Sequence, residues 1–288
     1  MGGELVRDIA PGEIVIINED GVLSFNFGEK TSKKSCVFEY VYFARPDSII
    51  DGIGVLEARI KMGEILARES GVSADVVIGV PDSGIGSAMG FSKASGIPYA
   101  MGIVKNKYIG RSFIAPTQEE REALVFVKLN ALKSDVFGKR VVIIDDSIVR
   151  GTTSRRLIQL LRKAGAKEVH FRISSPPVRY PCFFGIDTPA RADLISASHD
   201  SEEIRQAIGA DSLAFISMAG MIEALQSCEY EEDHQNSLAS KNSKSKQQDD
   251  SNGRDGRISP NGATNCGYCQ GCFVGEYPMP MIGELGKR

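Results

Sequence analysis

Asp145 and Asp146 end the apolar run Val141–Ile144 and are followed by Ser147, Arg150, Gly151, Thr152 and Thr153, in the stretch VVIIDDSIVRGTT. Two adjacent carboxylates at the end of a buried-looking strand are costly unless a ligand there calls for negative charge. The turn behind them leads into a helix starting near Thr152. Its first N–H groups lack intrahelical partners and its dipole favours an anion, so this half suits a phosphate. Gly151 permits close backbone approach, and the threonines add hydroxyl donors. Carboxylates repel phosphate, so Asp145 and Asp146 face something else: ribose hydroxyls or a hydrated Mg2+. A lone acidic pair can also be a solvated strand end with a helix cap. Four apolar residues, two acids and a Gly-Thr helix start together favour the ligand site.

A second strand-to-helix turn, VPDSG (80–84), places Ser83 where hydroxyl and N–H donors again converge, although a serine there is often only a cap. The polar segment 105–118, KNKYIGRSFIAPTQ, carries Lys105, Lys107, Tyr108 and Arg111 around Gly110. Basic, glycine-containing loops of this length serve as lids or as plain solvated loops. Six cysteines stand at 36, 182, 228, 266, 269 and 272. Crowding of three as CGYCQGC suggests metal rather than disulfides in a reducing compartment. Spacing alone points to Cys266, Cys269 and Cys272 with one distant partner, for iron–sulfur or zinc. His170, His199 and His234 receive no catalytic role.

The elements that must position these groups alternate. A hairpin about Asp20-Gly21 is expected within 13–27, too short to bury its own core and so packed on something else. Helical spacing of Leu56, Ile60, Ile65 and Leu66 marks 55–69. Then follow strand 75–81, helix 84–96 closed by Gly96, strand 99–104, and a helix through 119–132. Strand 138–145, helix 153–165, strand 167–175 and helix 200–209, capped by Asp200, complete the pattern. Such alternation argues for an α/β fold, a mostly parallel sheet with helices on both faces. In open parallel sheets, ligands bind beyond the carboxyl ends of the strands, which is where Asp145 and Asp146 fall. The segment 229–264 has almost no large apolar residue and is expected to be a disordered insert, with 265–288 a cysteine-containing tail folding back on the body.

Charge nearly balances over 288 residues, 34 basic against 37 acidic, for a net −3. That excludes a chain-wide basic field for nucleic acid. No apolar run reaches the ~18–20 residues of a membrane span, and the first residues lack a signal-peptide layout. The expectation is a soluble, cytoplasmic protein without nucleic-acid or membrane partners.

VVIIDDSIVRGTT resembles the 5-phosphoribosyl-1-pyrophosphate (PRPP) signature of type I phosphoribosyltransferases. CVFEYVYFARPDS, KNKYIGRSFIAPTQ, ISSPPVRYPCFFGID and CQGCFVGEYP extend the resemblance to the glutamine PRPP amidotransferase family, across about 4–228 and again 265–278. The resemblance implies the type I phosphoribosyltransferase fold for 36–228. It implies formation of 5-phosphoribosylamine from PRPP and ammonia, the first committed step of purine synthesis. It implies Mg2+ held by Ser83, Asp145 and Asp146, and Lys105 and Arg111 on the pyrophosphate. A subgroup binds a [4Fe–4S] cluster through cysteines matching Cys36, Cys182, Cys269 and Cys272, which leaves Cys266 spare and Cys228 an unliganded thiol. Residues 1–35 resemble only the last strands of the family's glutaminase domain, whose nucleophilic N-terminal cysteine has no match here. The chain as written is therefore expected to use free ammonia or a partner. The family also implies a homo-oligomer and inhibition by purine nucleotides. Rival readings are a nucleobase salvage transferase, for which no base-recognition hood is evident, and a PRPP-binding regulator, for which no DNA-binding module is evident.

Overall fold

The computed structural model describes residues 2–4, 6–27, 32–106, 129–228 and 267–279. The strands are β1 Glu13–Asn18, β2 Gly21–Asn26, β3 Ser35–Cys36, β4 Ile49–Ile50, β5 Ile53–Gly54, β6 Val76–Gly79, β7 Ile103–Lys105, β8 Leu129–Ala131, β9 Arg140–Asp145, β10 Glu168–Ile173, β11 Ser212–Phe215 and β12 Tyr268–Cys269. The α-helices are α1 Val55–Glu69, α2 Gly84–Ser95, α3 Lys133–Val136, α4 Thr152–Lys163, α5 Ile195–Ser198, α6 Ser201–Ile208, α7 Met218–Gln226 and α8 Gly271–Val274.

A parallel sheet of order β11-β10-β9-β6 forms the centre. Alternate residues of its strands enter two different cores. Val77, Val142 and Ile144 pack with α1, α2 and α7 on one face, through Met62, Leu66, Phe91 and Leu225. Val76, Ile78, Val141 and Ile143 pack with α4 and α6 on the other, through Leu157, Ile158, Leu161, Ile204 and Ile208. Period-two alternation buried on both sides explains why these strands read as unbroken apolar runs. The α/β expectation of helices on both faces is met. Helix α6 has the predicted cap: Asp200 accepts from the N–H groups of Glu202 and Glu203, and Glu203 returns a hydrogen bond to the Asp200 N–H.

Helices α1 and α2 cross at backbone contact. A Cβ at Gly63 would lie 1.9 Å from the Ser87 carbonyl oxygen, and one at Gly90 would lie 1.9 Å from that of Ile60. Only glycine fits at these two points, and the tight crossing fixes α1 against the start of α2.

Three expectations are corrected. The apolar stripe of α1 is rotated: its buried residues are Val55, Ala58, Arg59, Met62, Gly63, Ile65 and Leu66, whereas Leu56 is 40 % exposed. Strand 99–104 shrinks to Ile103–Lys105 plus a single bridge from Tyr99 to Val77. Leu129–Ala131, expected as the end of a helix, is a strand that pairs antiparallel with β7. Residues 119–128 and the insert 229–264 lie outside the described residues. The β1–β2 hairpin forms as expected, but its apolar side chains are not covered by the described residues: Ile17 is 77 % and Phe27 80 % exposed.

Candidate active site

Asp145 is the last residue of β9, and Asp146 and Ser147 continue over the sheet's carboxyl edge. Both aspartates are buried. Asp145 Oδ1 accepts the Asp146 N–H at 2.9 Å. Each Asp146 oxygen accepts a hydroxyl, Oδ1 from Ser147 at 2.5 Å and Oδ2 from Ser83. Ser83 follows the neighbouring strand β6, whose end is registered on β9 by the Val80 N–H bond to the Ile144 carbonyl at 2.8 Å. Ser83 precedes α2 but makes no side-chain cap to it. Its hydroxyl serves the aspartate instead, so the capping reading fails.

Burial pushes the Asp145 carboxyl well above its ordinary range, and the neighbouring Asp146 carboxylate adds to the rise. Burial raises Asp146 as well, opposed by the Ser147 and Ser83 hydroxyls and by the charge of Arg59. Gly151 caps α4 with φ +75°, and no side chain caps the helix, so its first N–H groups stay available to an anion. Thr152 and Thr153 are exposed there, while Arg150 leans 3.5 Å from Asp193. Lys105 pairs with Asp82 at 2.6 Å. Lys107, Tyr108 and Arg111 lie outside the described residues.

All of these groups among the described residues face one cavity of about 1040 Å3. Its walls include Ser83, Lys105, Asp145 to Ser147, Arg150 to Thr153, and also Cys36, Cys182, Cys269 and Cys272. The tail reaches it by parallel pairing of β12 on β3, which sets Cys269 against Cys36. The Cys272 carbonyl accepts the N–H groups of Arg179 and Tyr180, both at 3.0 Å. Burial pushes the thiols of Cys36, Cys269 and Cys272 up, and the Cys36, Cys269 and Cys182 thiols add to the rise at Cys272. Tyr277, bonded to the Pro181 carbonyl at 2.7 Å, is pushed up to about 12 by burial and by Cys272 and Cys182.

Among the described residues no group of three or more His, Cys, Asp or Glu side chains is drawn together as a single ion requires. Four sulfurs around one zinc must all lie ~2.3 Å from the same point. In a four-iron cluster each cysteine binds a different iron, so the ligands stand farther apart around a larger body. Four thiols lining one cavity are the donors on which either group would draw. Cys266 lies outside the described residues. Cys228 is buried in the α1–α7 core, away from this cavity.

The sequence reading missed Arg59. It is 3 % exposed, lines the cavity and bears its charge on Asp146. Its Nε donates to the Tyr40 carbonyl at 2.8 Å and one Nη to that of Ala44 at 2.9 Å. The signal was there: a guanidinium four residues after Val55 and three before Met62 sits on the buried stripe. His170 bridges Ser212 and Glu168 at 3.0 and 3.1 Å, and His199 bonds Ser198 at 2.9 Å. His234 lies outside the described residues. Among the described residues no helix is long and apolar enough to cross a membrane.

Comparison with known proteins agrees with this geometry. The phosphoribosyl transferase domain family matches residues 56–174, which run from α1 to the end of β10. The chain is 48 % identical to the amidophosphoribosyltransferase of Bacillus subtilis over 284 residues, 99 % of this chain and 53 % of that protein. It is 55 % identical to that of Synechococcus elongatus over 287 residues, 100 % of this chain and 51 % of that protein. A solved structure of the Bacillus subtilis glutamine PRPP amidotransferase complexed with ADP and GMP superposes with a TM-score of 0.73 at 48 % identity, covering 95 % of this chain and 53 % of that one. The structure of an allosteric regulatory enzyme of purine biosynthesis gives 0.74 at 48 % identity, over 95 % and 52 %. The fold is that of the type I phosphoribosyltransferases, and the chain spans about half the length of the curated relatives it matches. With such identity along nearly all its residues, the chain belongs to the amidophosphoribosyltransferase family.

Proposed function

We propose that this chain carries out the phosphoribosyl-transfer half of an amidophosphoribosyltransferase reaction, forming 5-phosphoribosylamine from PRPP and ammonia at the entry to purine synthesis. The observation that carries the reading is the buried Asp145–Asp146 pair at the sheet's carboxyl edge, beside the open N-terminus of α4, in one cavity.

The 5-phosphate sits on the α4 N-terminus, held by main-chain N–H groups from Gly151 onward and by Ser147, Thr152 and Thr153, with Arg150 beside it. Asp145 and Asp146 hold the ribose hydroxyls and, with Ser83, the Mg2+ that PRPP carries. When bound, the ion spreads the charge that builds on the leaving pyrophosphate. The C1–oxygen bond breaks and pyrophosphate keeps the electron pair. Ammonia's lone pair forms the C1–N bond, and the nitrogen then loses one proton to solvent. Ammonia is a neutral nucleophile, so orientation and exclusion of water matter more than a general base. Lys105 and Arg111 meet the pyrophosphate, with Lys107 and Tyr108 in the same segment.

Cys36, Cys182, Cys269 and Cys272 hold a [4Fe–4S] cluster whose role is to tie the tail and β3 to the body. Support comes from the shared cavity and the β3–β12 pairing. The domain plan follows: 1–35 as the last strands of a glutaminase domain, 36–228 as the transferase domain, 229–264 as an insert, and 265–288 as a docked tail. Assembly is as a homo-oligomer in the cytoplasm. Purine nucleotides inhibit, as the ADP and GMP in the related Bacillus subtilis structure suggest.

Pyrophosphate release from PRPP with Mg2+ tests the reaction, using ammonium against a panel of nucleobases. Turnover with ammonium alone is expected. Turnover with a nucleobase, or PRPP binding without turnover of any acceptor, overturns it. Iron and acid-labile sulfide in the brown protein are expected; a colourless protein with stoichiometric zinc overturns the cluster.

A further inference from the structure

Asp51 joins the antiparallel strands β4 and β5 with φ +50°, and Gly52 follows with φ +77°. Positive φ at both central residues makes a two-residue type I′ turn. For the turn alone glycine serves better, because an L side chain is strained there. What glycine lacks is the carboxylate. One of its oxygens accepts from Lys33 Nζ and the other from the Ser35 hydroxyl, 18 and 16 positions earlier. Lys33 is 57 % exposed, so its ion pair contributes little. Ser35 belongs to β3, and its N–H donates to the Gly267 carbonyl at 3.2 Å, where the pairing of β12 begins. The residue that Asp51 grips therefore carries the tail. A second tie leaves the same hairpin: buried Tyr40 donates its hydroxyl to the Ile50 carbonyl at 3.1 Å and sets its ring edge-on to Tyr268, with centroids 6.2 Å apart. Ile50 and Asp51 thus each reach β12 through one intermediary. The tail contributes Cys269, Cys272 and Tyr277 to the cavity wall, whereas Asp51 does not line the cavity.

We propose that Asp51 is a positioning residue: its carboxylate, acting through Ser35, seats β3 so that the tail closes the cysteine side of the cavity. This role goes beyond the PRPP reading and stands on the hairpin and the tail alone. A residue serving only its own turn would act on β4 and β5. A positioning role makes the seating of the tail depend on the Asp51 carboxylate and on the Ser35 hydroxyl as a pair.

Hydrogen exchange on the full purified chain separates the two roles. Peptides covering 35–36 and 268–269 report the tail, and those of β9 and β10 report global stability. Asp51→Gly keeps the turn and removes the carboxylate. It is expected to speed exchange of the tail peptides about fivefold, the size of one net hydrogen bond, with β9 and β10 changed less than about twofold. Asp51→Asn tolerates positive φ and keeps an oxygen for Ser35, so protection is expected to stay within about twofold of native. Ser35→Ala is expected to match Asp51→Gly, and adding Asp51→Gly to it to cost less than about twofold more. Tail peptides as protected in Asp51→Gly as in the native chain overturn the inference. So do equal losses from Asp51→Gly in the native and Ser35→Ala backgrounds, or an acceleration spread evenly over β9 and β10. Ser35→Ala removes only a hydroxyl, so unchanged tail protection in that variant overturns the inference even where Asp51→Gly fails to fold.

Discussion

Asp145, Asp146 and Ser147 are consecutive residues on one buried strand end, and the hydrogen-bonded neighbour strand brings Ser83 to them. Cys36, Cys182, Cys269 and Cys272 reach the same cavity from β3, the segment after β10, β12 and α8. The first wall is set by sheet register and two continuous cores. The second rests on a two-residue strand pair, a four-residue helix and carbonyl contacts such as Cys272 with Arg179 and Tyr180. A wall that stores charge needs a rigid frame already in place. A wall assembled from distant short segments needs a cross-link, since so few hydrogen bonds seldom hold a tail against its own entropy. On the proposed reading, chemistry falls to the first wall and a cross-link to the second, and each can be disabled separately.

The largest effect is expected at the aspartate wall. Asp145→Asn or Asp146→Asn should lower ammonium-dependent pyrophosphate release by about 10^3-fold, as for loss of a group fixed on the reacting centre. Metal-free stability should move the other way. In the unfolded chain these carboxyls ionise near pH ~3.9, while burial holds Asp145 well above that. As pH rises past the unfolded value, the unfolded chain releases its proton first, so the folded state loses stability up to the raised folded value. Asp145→Asn removes that loss and should gain roughly 1–2 kcal/mol at neutral pH, with little difference from the native chain below pH ~4. Thermal unfolding at both pH values checks it; an equal shift at both would mean that charge burial is not the cause.

The cysteine wall should answer with the opposite pattern. Cys272→Ser should abolish iron incorporation and lower the melting temperature by about 5–10 °C, the scale of losing a cross-link worth ~2–4 kcal/mol in a chain of this size. PRPP affinity should change less than about threefold, because the aspartates keep their own frame. A tenfold loss of affinity would merge the two walls into one unit and break the comparison.

How much of each wall the sequence reveals follows from the range of the interactions that build it. The aspartate pair, Gly151 and the Asp200 cap depend on neighbours within a few residues, and all fall where the pattern places them. Leu129–Ala131 does not, because three residues at the end of a helix-like sequence pattern become a strand only when β7 offers an edge. The β3–β12 pair joins residues more than two hundred positions apart, which no local propensity records; the family resemblance, not spacing, gathered those four cysteines. Arg59 was hidden for another reason. An arginine on a helix is read as its solvent face, whereas the buried stripe of this helix runs through Val55, Ala58, Arg59 and Met62.

That crossing gives a test of intermediate size. Gly63→Ala sets a methyl against the Ser87 carbonyl oxygen at 1.9 Å, a backbone atom that cannot rotate away. Separating α1 from α2 should cost about 1–3 kcal/mol, read by denaturant unfolding. It should also weaken PRPP binding, since α1 bears Arg59 and α2 begins next to Ser83, while leaving iron content unchanged. Loss of iron instead would place the cysteine wall under the same frame.

The smallest effect is expected where the aspartate wall meets solvent. Lys105 holds Asp82 at 2.6 Å, with their side chains 40 % and 71 % exposed. An ion pair so wet contributes about 0–1 kcal/mol, so Asp82→Asn should leave the melting temperature nearly unchanged. It should free Lys105 for the pyrophosphate, and PRPP affinity should rise by no more than about fivefold at low salt, the difference vanishing as ionic strength increases. Affinity that falls on this substitution, or that changes alike at every salt concentration, would show Asp82 acting on the ligand directly. The rigid part of the aspartate wall would then extend to its rim, beyond Ser83 and the strand ends.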